Sequence, residues 1–222
     1  MAFSSSRAIA IFISYFALLV IFVTKISHRA QNNGYDLQPG GSAGKNESNI
    51  KGGQTIHFIT YGNDRFAKSK KRIVQEALET GWFDTARAYE PENLPDSFYE
   101  KDQYAEISAL PRGGGYWLWE LFFFDQTMAA LKEGDFLIWC DAGHKIHKDG
   151  EARFREYINM VNNSQYDVLG WELSPKYAEY IWTTQRLFLA YDVLGNASFT
   201  HSPQFTSCAF VMQKGPHFSQ MD

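Results

Sequence analysis

The chain has 222 residues, of which 45% are hydrophobic, and its formal net charge is -4. This length and composition predict one globular domain with a full core and exclude disordered and collagen-like chains. Because the net charge is acidic and the longest basic run is Lys70–Arg72, we expect no nucleic-acid partner.

An apolar run covers residues 8–26, after a short tail at 1–7. We interpret it as an uncleaved signal anchor, a single helix across a membrane, rather than a cleaved signal peptide, because no small-residue cleavage site follows. The basic residues on its C-terminal side favour a cytosolic domain. Asn-x-Ser sequons at Asn46, Asn162 and Asn196 favour a lumenal one. We adopt the lumenal orientation, and expect a single-pass protein of the Golgi or endoplasmic reticulum.

Residues 27–54 are rich in Gly, Asn and Ser and are typical of a flexible stem. The folded domain then covers 55–222. Its alternating strand and helix patterns predict an α/β fold with a mainly parallel sheet. The expected strands are Thr55–Tyr61, Thr85–Tyr89, Phe136–Cys140, Tyr166–Leu173 and Ser207–Met212. The expected helices are Phe66–Leu78, ended by Gly81, and Ser97–Ser108, Tyr116–Ala130, Glu151–Val161 and Thr184–Leu194.

Some side chains in these elements have a predicted environment. The basic residues between Lys68 and Arg72 are expected on a solvated helix face. Trp182 and Phe188 are expected in the core rather than as sugar-stacking surfaces. Cys140 and Cys208 are expected as small buried residues rather than as a disulfide.

A Gly-rich segment precedes the most apolar helix, with Arg112 followed by Gly113, Gly114 and Gly115. Glycines let a backbone approach a ligand closely, and a guanidinium can grip phosphate oxygens. The simpler interpretation is a tight turn before a core helix.

Asp141 follows the apolar strand Phe136–Cys140 and is the strongest candidate for chemistry. Ligands bind at the carboxyl ends of strands in open α/β sheets, and Mg²⁺ is often held by one or two carboxylates together with substrate phosphates. His144, His147 and Asp149 lie just beyond, as further ligands or as loop residues. Glu172, near the end of the next strand, is a candidate general base or acceptor-orienting group, or a surface residue.

Several motifs together resemble a known family. They are the run from Ile59 to Asp64, the run from Ser69 to Ile73, the run from Arg112 to Trp119, and Asp141-Ala142-Gly143. This order, from Thr55 to Lys214, resembles nucleotide-diphospho-sugar transferases found beside capsular-polysaccharide-type and algal or viral glycosyltransferases.

The resemblance implies a GT-A-like, Rossmann-type fold in which Asp141 stands at the first Asp of the Asp-x-Asp metal motif. It also implies a divalent cation, Mn²⁺ or Mg²⁺, and a nucleotide site that includes Tyr61 and Asp64 with Arg112 and the glycines. The chain departs from the pattern at Gly143, which stands at the second Asp, and at Arg186, where an acidic residue is expected. It also ends at Asp222 without a further His- and Asp-bearing segment, which we interpret as a C-terminal truncation.

These observations predict a membrane-anchored glycosyltransferase, with a nucleotide-sugar donor and a glycan or glycoconjugate acceptor. Asp141 and the cation would neutralise the departing diphosphate, supported by Arg112 and the Gly113–Gly115 amides. One alternative is an inactive nucleotide- or glycan-binding member of the same fold. Another is a purely structural, membrane-tethered domain that binds no nucleotide.

Overall fold

The computed structural model describes residues 53–100 and 104–215. The predicted anchor at 8–26, most of the stem and Asn46 lie outside these residues. Within the described ranges, no helix is long and apolar enough to cross a membrane.

The described chain forms a five-stranded sheet with helices on both faces. The strands are β1 Ile56–Tyr61, β2 Thr85–Tyr89, β3 Phe136–Cys140, β4 Val168–Glu172 and β5 Phe205–Gln213. The helices are α1 Ala67–Thr80, α2 Asp96–Tyr99, α3 Tyr104–Ser108, α4 Leu118–Ala130, α5 Glu151–Asn162, α6 Glu179–Trp182, α7 Gln185–Ala190 and α8 Ala197–Thr200. The prediction of an α/β domain with a mixed, mainly parallel sheet is confirmed.

The sheet has the order β2-β1-β3-β5-β4. Strand β1 is parallel to both β2 and β3, whereas β5 runs antiparallel to both β3 and β4. Strand β4 therefore points the same way as β3, and four strands end at one edge, which we call the carboxyl edge. The described chain enters β1 and leaves β5 at the opposite, amino edge.

Two apolar layers cover the sheet because side chains alternate along the strands. On one face, Leu137 and Trp139 pack with Phe123 of α4. On the other, Phe136 and Ile138 pack with residues of α1 and α5, including Ile73, Ala77, Phe154 and Ile158. Each layer removes large aromatic and aliphatic side chains from water, which is the dominant favourable term in folding.

Helix α1 ends as the sequence predicts, at Gly81 with φ of 70°, a conformation that glycine adopts without a side-chain clash. The helical spacing of the sequence places Phe66, Ile73, Val74, Ala77 and Leu78 on one apolar stripe. That expectation is only partly right, because Phe66 and Leu78 are 44% and 52% exposed whereas Ile73 and Ala77 are fully buried. Two short helices, α2 and α3, replace the single helix expected at Ser97–Ser108.

The helix expected at Tyr116–Ala130 begins later, at Leu118. Five consecutive residues before it, from Gly113 to Trp117, have positive φ angles between 52° and 93°. The N–H of Tyr116 donates to Arg112 O at 2.7 Å and that of Trp117 donates to Gly113 O at 3.2 Å. The segment is therefore a left-handed helical turn, which costs roughly 1–2 kcal/mol for each non-glycine residue.

Trp182 was expected in the core and is instead 57% exposed, whereas Phe188 is buried as expected at 6%. Helices α6 and α7 are too short to sequester both faces. The segment between β4 and β5 that contains them extends beyond the carboxyl edge. The cysteines are unpaired and only partly buried.

Asn162 lies at the amino edge of the sheet. Its Oδ1 accepts a hydrogen bond from Gln213 Nε2 at 3.1 Å. Asn196, by contrast, is exposed and begins α8, where its side chain accepts from the N–H of Ser198 at 3.0 Å.

Candidate functional site

Asp141 lies at the carboxyl edge, directly after the central strand β3. The alternation of side chains directs it to the face that α4 covers, since Leu137 and Trp139 pack on that face. Its backbone N–H donates to Cys208 O of β5 at 2.8 Å. The residue is half-buried, and it is held by the sheet ladder although it lies outside the strand.

Glu120, in the first turn of α4, is the second carboxyl of this site. The side chain is only 5% exposed, and among the described residues its Oε1 has no hydrogen-bond partner. Burial raises its pKa well above the ordinary value of 4.5, and the charge of Asp141 raises it further. A buried carboxyl with an unsatisfied oxygen is costly, and perturbed groups of this kind concentrate at functional sites.

Burial also raises the pKa of Asp141, although hydrogen bonding from Cys208 and Trp139 and the charge of His144 oppose the rise. Asp141 is less buried than Glu120 and has these partners, so it loses its proton first. The Cys208 thiol is also affected, because burial raises its pKa and the nearby carboxyls add to the rise. Glu120, Asp141 and Cys208 thus form one electrostatically coupled group.

A cation would relieve the repulsion between these two carboxyls. Among the residues that the structure describes, no group of three or more His, Cys, Asp or Glu side chains is arranged to hold a metal ion. Two carboxylates are nevertheless sufficient for Mg²⁺ when substrate phosphates and waters complete the shell. Glu120 Oε1, which is buried and has no hydrogen-bond partner in the described part of the chain, fits this role.

Gly143 does not add a ligand, because it has no side chain. A Cβ built at this position would meet no heavy atom within 4 Å, so the space beside it is open to a larger side chain. His144 is exposed, and its Nδ1 lies 3.3 Å from Asp141 O. His147 and Asp149 are exposed, further along the loop.

The Gly-rich segment supports α4 from its N-terminal side. The N–H groups of Gly114 and Gly115 donate to Pro111 O and Leu110 O, so both amides have partners within the protein. A Cβ on Gly115 would lie 2.6 Å from Ser108 Cα, and one on Gly113 would lie 2.5 Å from the Trp117 ring. These glycines are therefore required by packing as well as by their φ angles.

Arg112 is exposed, and its guanidinium carbon lies 5.8 Å from the centre of the Tyr116 ring. Within residues 53–100 and 104–215, no carboxylate forms an ion pair with it. The first turn of α4 follows, and no described side chain caps it. N–H groups at a helix start and a guanidinium are both suited to bind an anion.

Tyr61, at the end of β1, stacks on Trp119 of α4 with ring centres 3.5 Å apart. Burial raises the Tyr61 pKa, and the charges of Tyr99 and Glu92 add to the rise. The Trp119 indole N–H donates to Gly113 O at 2.9 Å. Trp119 therefore links β1, α4 and the left-handed turn.

Among the described residues, no hydrogen bond or ion pair joins the remaining candidates to Asp141. Asp64 is exposed after β1. Glu172 is exposed at the end of edge strand β4, opposite Phe205 of β5. Because β5 separates β4 from β3, Glu172 is two strand spacings, or about 10 Å, from β3. Arg186 is exposed on α7.

Sequence reasoning missed Glu120. The signal was present, since Glu120 is one of two acidic residues in a helix that is otherwise largely apolar, and a buried carboxyl there needs a partner or a ligand.

Comparisons with protein-family models, curated proteins and solved structures gave no match.

Proposed function

We propose that this protein is a glycosyltransferase that uses a nucleotide-diphospho-sugar donor. The observation that carries the proposal is the pairing of Asp141 with Glu120 at the carboxyl edge of the sheet. Asp141 ends the central strand, which is where α/β sheets bind ligands. Glu120 is 5% exposed and has an oxygen without a partner among the described residues.

Asp141 and Glu120 would hold a divalent cation, Mn²⁺ or Mg²⁺, together with the donor's diphosphate. The cation would supply neutralisation of the charge that develops on the leaving nucleoside diphosphate. The two carboxyls fit this role because burial raises the pKa of both, and the charge of Asp141 raises the pKa of Glu120 further. Binding a cation would keep both of them ionised.

Arg112 and the start of α4 would contact the phosphates. The guanidinium is exposed and free to donate charge-assisted hydrogen bonds. The first turn of α4 adds the positive end of a helix dipole. The amides of Gly114 and Gly115 already have backbone partners, so in this proposal the glycines shape the turn rather than bind phosphate.

Tyr61 and Asp64 would lie on the nucleotide side of the site, because Tyr61 ends β1 and Asp64 follows it. Glu172 lies on the other side of β3 and would contact the acceptor, a glycan or glycoconjugate. The exposed aromatic residues Tyr180 and Trp182, at 55% and 57%, belong to the segment beyond this part of the edge. Exposed rings at this position are consistent with a sugar-binding surface.

A second candidate is a protein that binds nucleotide or glycan without turnover. It is favoured by Gly143, because the space where a second Asp would stand is open. In this case Asp141 and Glu120 would remain a binding site, but the diphosphate would be held too loosely for bond cleavage.

A panel of nucleotide sugars, titrated with and without Mn²⁺, tests the proposal. Transfer or hydrolysis of a donor that requires Mn²⁺ supports the transferase, and binding without either reaction supports the second candidate. Asp141→Asn retains the size of the side chain but is a poorer ligand for a hard cation. If Asp141→Asn keeps full metal-dependent donor binding, the proposed site is wrong.

A further inference from the structure

Helix α1 reaches across to the loop that follows β3. Arg72 Nη2 donates to Ala142 O at 3.1 Å, and Glu76 Oε2 accepts from the N–H of Ile146 at 2.9 Å. Arg72 Nη1 also contacts Glu76 Oε1 at 3.0 Å and Oε2 at 3.2 Å. The two side chains therefore form a closed bracket around residues 142–146, which we call the α1 bracket.

The α1 bracket depends on helix spacing. Residues four apart lie on the same face of a helix, so Arg72 and Glu76 can pair with each other while both face the loop. An isolated exposed pair of this type contributes little to stability. Here each partner also satisfies a backbone group of the loop, which would otherwise need water or another partner.

The loop itself is short and turns sharply. The N–H of His144 donates to Asp141 O at 2.9 Å, and the N–H of Asp141 donates to Cys208 O at 2.8 Å. Ala142 is 4% exposed, whereas the next two residues, Gly143 and His144, are exposed. Asp141 is thus fixed by β5 before the turn, and the turn is fixed by α1 after it.

We propose that Arg72 and Glu76 are positioning residues, which hold the Asp141-Ala142-Gly143 turn in the conformation that presents the Asp141 carboxylate to a cation and diphosphate. This inference rests on the proposed function for the identity of the ligand. The claim about the conformation of the loop depends only on the contacts that Arg72 and Glu76 of α1 make. It also gives a role to Arg72, which the sequence placed on a solvated face.

The neighbouring pair Glu79 and Lys148 is a matched control. Glu79 also belongs to α1, and Lys148 Nζ lies 3.1 Å from Glu79 Oε2. Their side chains are 46% and 63% exposed, against 25% and 33% for Glu76 and Arg72. This pair joins the same two segments but, among the described residues, makes no hydrogen bond to a backbone group of residues 142–146, so its loss should leave Asp141 in place.

The first measurement is hydrogen exchange of the loop without ligand. Arg72→Ala and Glu76→Ala should accelerate exchange of the Ile146 amide at least about tenfold, because both remove a bond of the bracket. Glu79→Ala and Lys148→Ala, which each remove the control pair, should not. Unchanged exchange in both bracket variants overturns the inference, whatever the protein binds.

The second measurement is binding of Mn²⁺ in the presence of uridine or guanosine diphosphate. Arg72→Ala should weaken it about 10–100-fold, the range found when groups that orient a metal ligand are removed. Glu76→Gln keeps an acceptor for Ile146 and should retain most of the affinity, which Glu76→Ala should lose. If exchange accelerates but affinity does not change, the bracket is structural only and the inference is overturned.

The two proposals fail in different ways. If the wild-type protein binds neither diphosphate with Mn²⁺, the transferase proposal is overturned, and the exchange measurement still decides whether Arg72 and Glu76 hold the turn. If wild type binds and the bracket variants bind equally well, the transferase proposal stands and the positioning role is wrong. Arg72→Lys, which retains the charge, provides a folded variant if Arg72→Ala does not fold.

Discussion

The backbone N–H of Asp141 donates to the carbonyl of Cys208 at 2.8 Å, so the ladder between β3 and β5 continues one residue beyond β3. A candidate ligand therefore sits on a rigid part of the sheet, although its side chain lies at the edge where ligands have access. Sites built on regular elements hold their geometry better than sites on free loops.

The first prediction concerns the pH dependence of stability. The pKa of Glu120 is raised on folding, so the folded protein holds a proton that the unfolded chain releases above about pH 4.5. Stability from this group is therefore present below that pH and is lost as pH rises toward the folded pKa, by up to about 1.4 kcal/mol per pH unit. Glu120→Gln should flatten this decline and be more stable than wild type at neutral pH. Urea denaturation between pH 4 and 8 measures the unfolding free energy of both proteins. If its dependence on pH is the same in Glu120→Gln as in wild type, the burial of Glu120 is contradicted.

The second prediction concerns the open space at Gly143. A Cβ there meets nothing within 4 Å, so Gly143→Asp should fold and place a second carboxylate beside Asp141. Added ligand charge strengthens binding of hard cations, and we expect roughly tenfold tighter Mn²⁺ binding by calorimetry. Gly195→Asp, at another open position, is the control. Equal affinity in wild type and Gly143→Asp would argue against a cation at Asp141.

The third prediction concerns phosphate contact by Arg112. Arg112→Ala should weaken binding of a nucleoside diphosphate by about 1.5–3 kcal/mol if the guanidinium makes a charge-assisted hydrogen bond. Arg153→Ala, which removes an exposed arginine of α5, should have no effect. Normal affinity in a folded Arg112→Ala variant would leave the glycine segment as a structural turn.

The fourth prediction concerns the proposed lumenal orientation. Asn196 is exposed, whereas Asn162 is hydrogen-bonded to Gln213 at the amino edge. Expression in a eukaryotic host should therefore give glycosylation that Asn196→Gln removes and Asn162→Gln does not. Gel mobility after enzymatic deglycosylation measures this. An unshifted band, together with digestion of the domain by protease added to sealed microsomes, would contradict the lumenal orientation.

The fifth prediction separates two aromatic residues that sequence reasoning treated alike. Phe188→Ala should cost about 3–5 kcal/mol of unfolding free energy, because the ring is buried. Trp182→Ala should cost less than about 1 kcal/mol, because the ring is 57% exposed. Thermal and urea denaturation of both variants measure the difference, and similar losses would place Trp182 in an interface.

The strands and longer helices were predictable because their apolar spacing is local. Strand β3 and helix α5 agree with the sequence within a residue, and Asp141 could be placed at a strand end. The left-handed φ angles of Tyr116 and Trp117 could not be predicted, because tertiary packing imposes them on residues that prefer the right-handed region. The direction of β5 and the contact of Arg72 with Ala142 depend on topology, which spacing along the chain does not report.

The position of β5 also constrains the order in which the domain can be assembled during synthesis. Strand β4 has β5 as its neighbour in the sheet, and β5 lies between β3 and β4. Until the ribosome has released residues 205–213, β3 presents an open edge and β4 has no strand to pair with. Open edges of this kind template aggregation, and nascent chains are exposed to it for as long as synthesis continues. The unit β2-β1-β3 can form early, but the site at Asp141 is completed only when Cys208 has been synthesised. A ribosome-bound chain that lacks β5 would therefore contain every proposed cation ligand without holding them in the binding geometry.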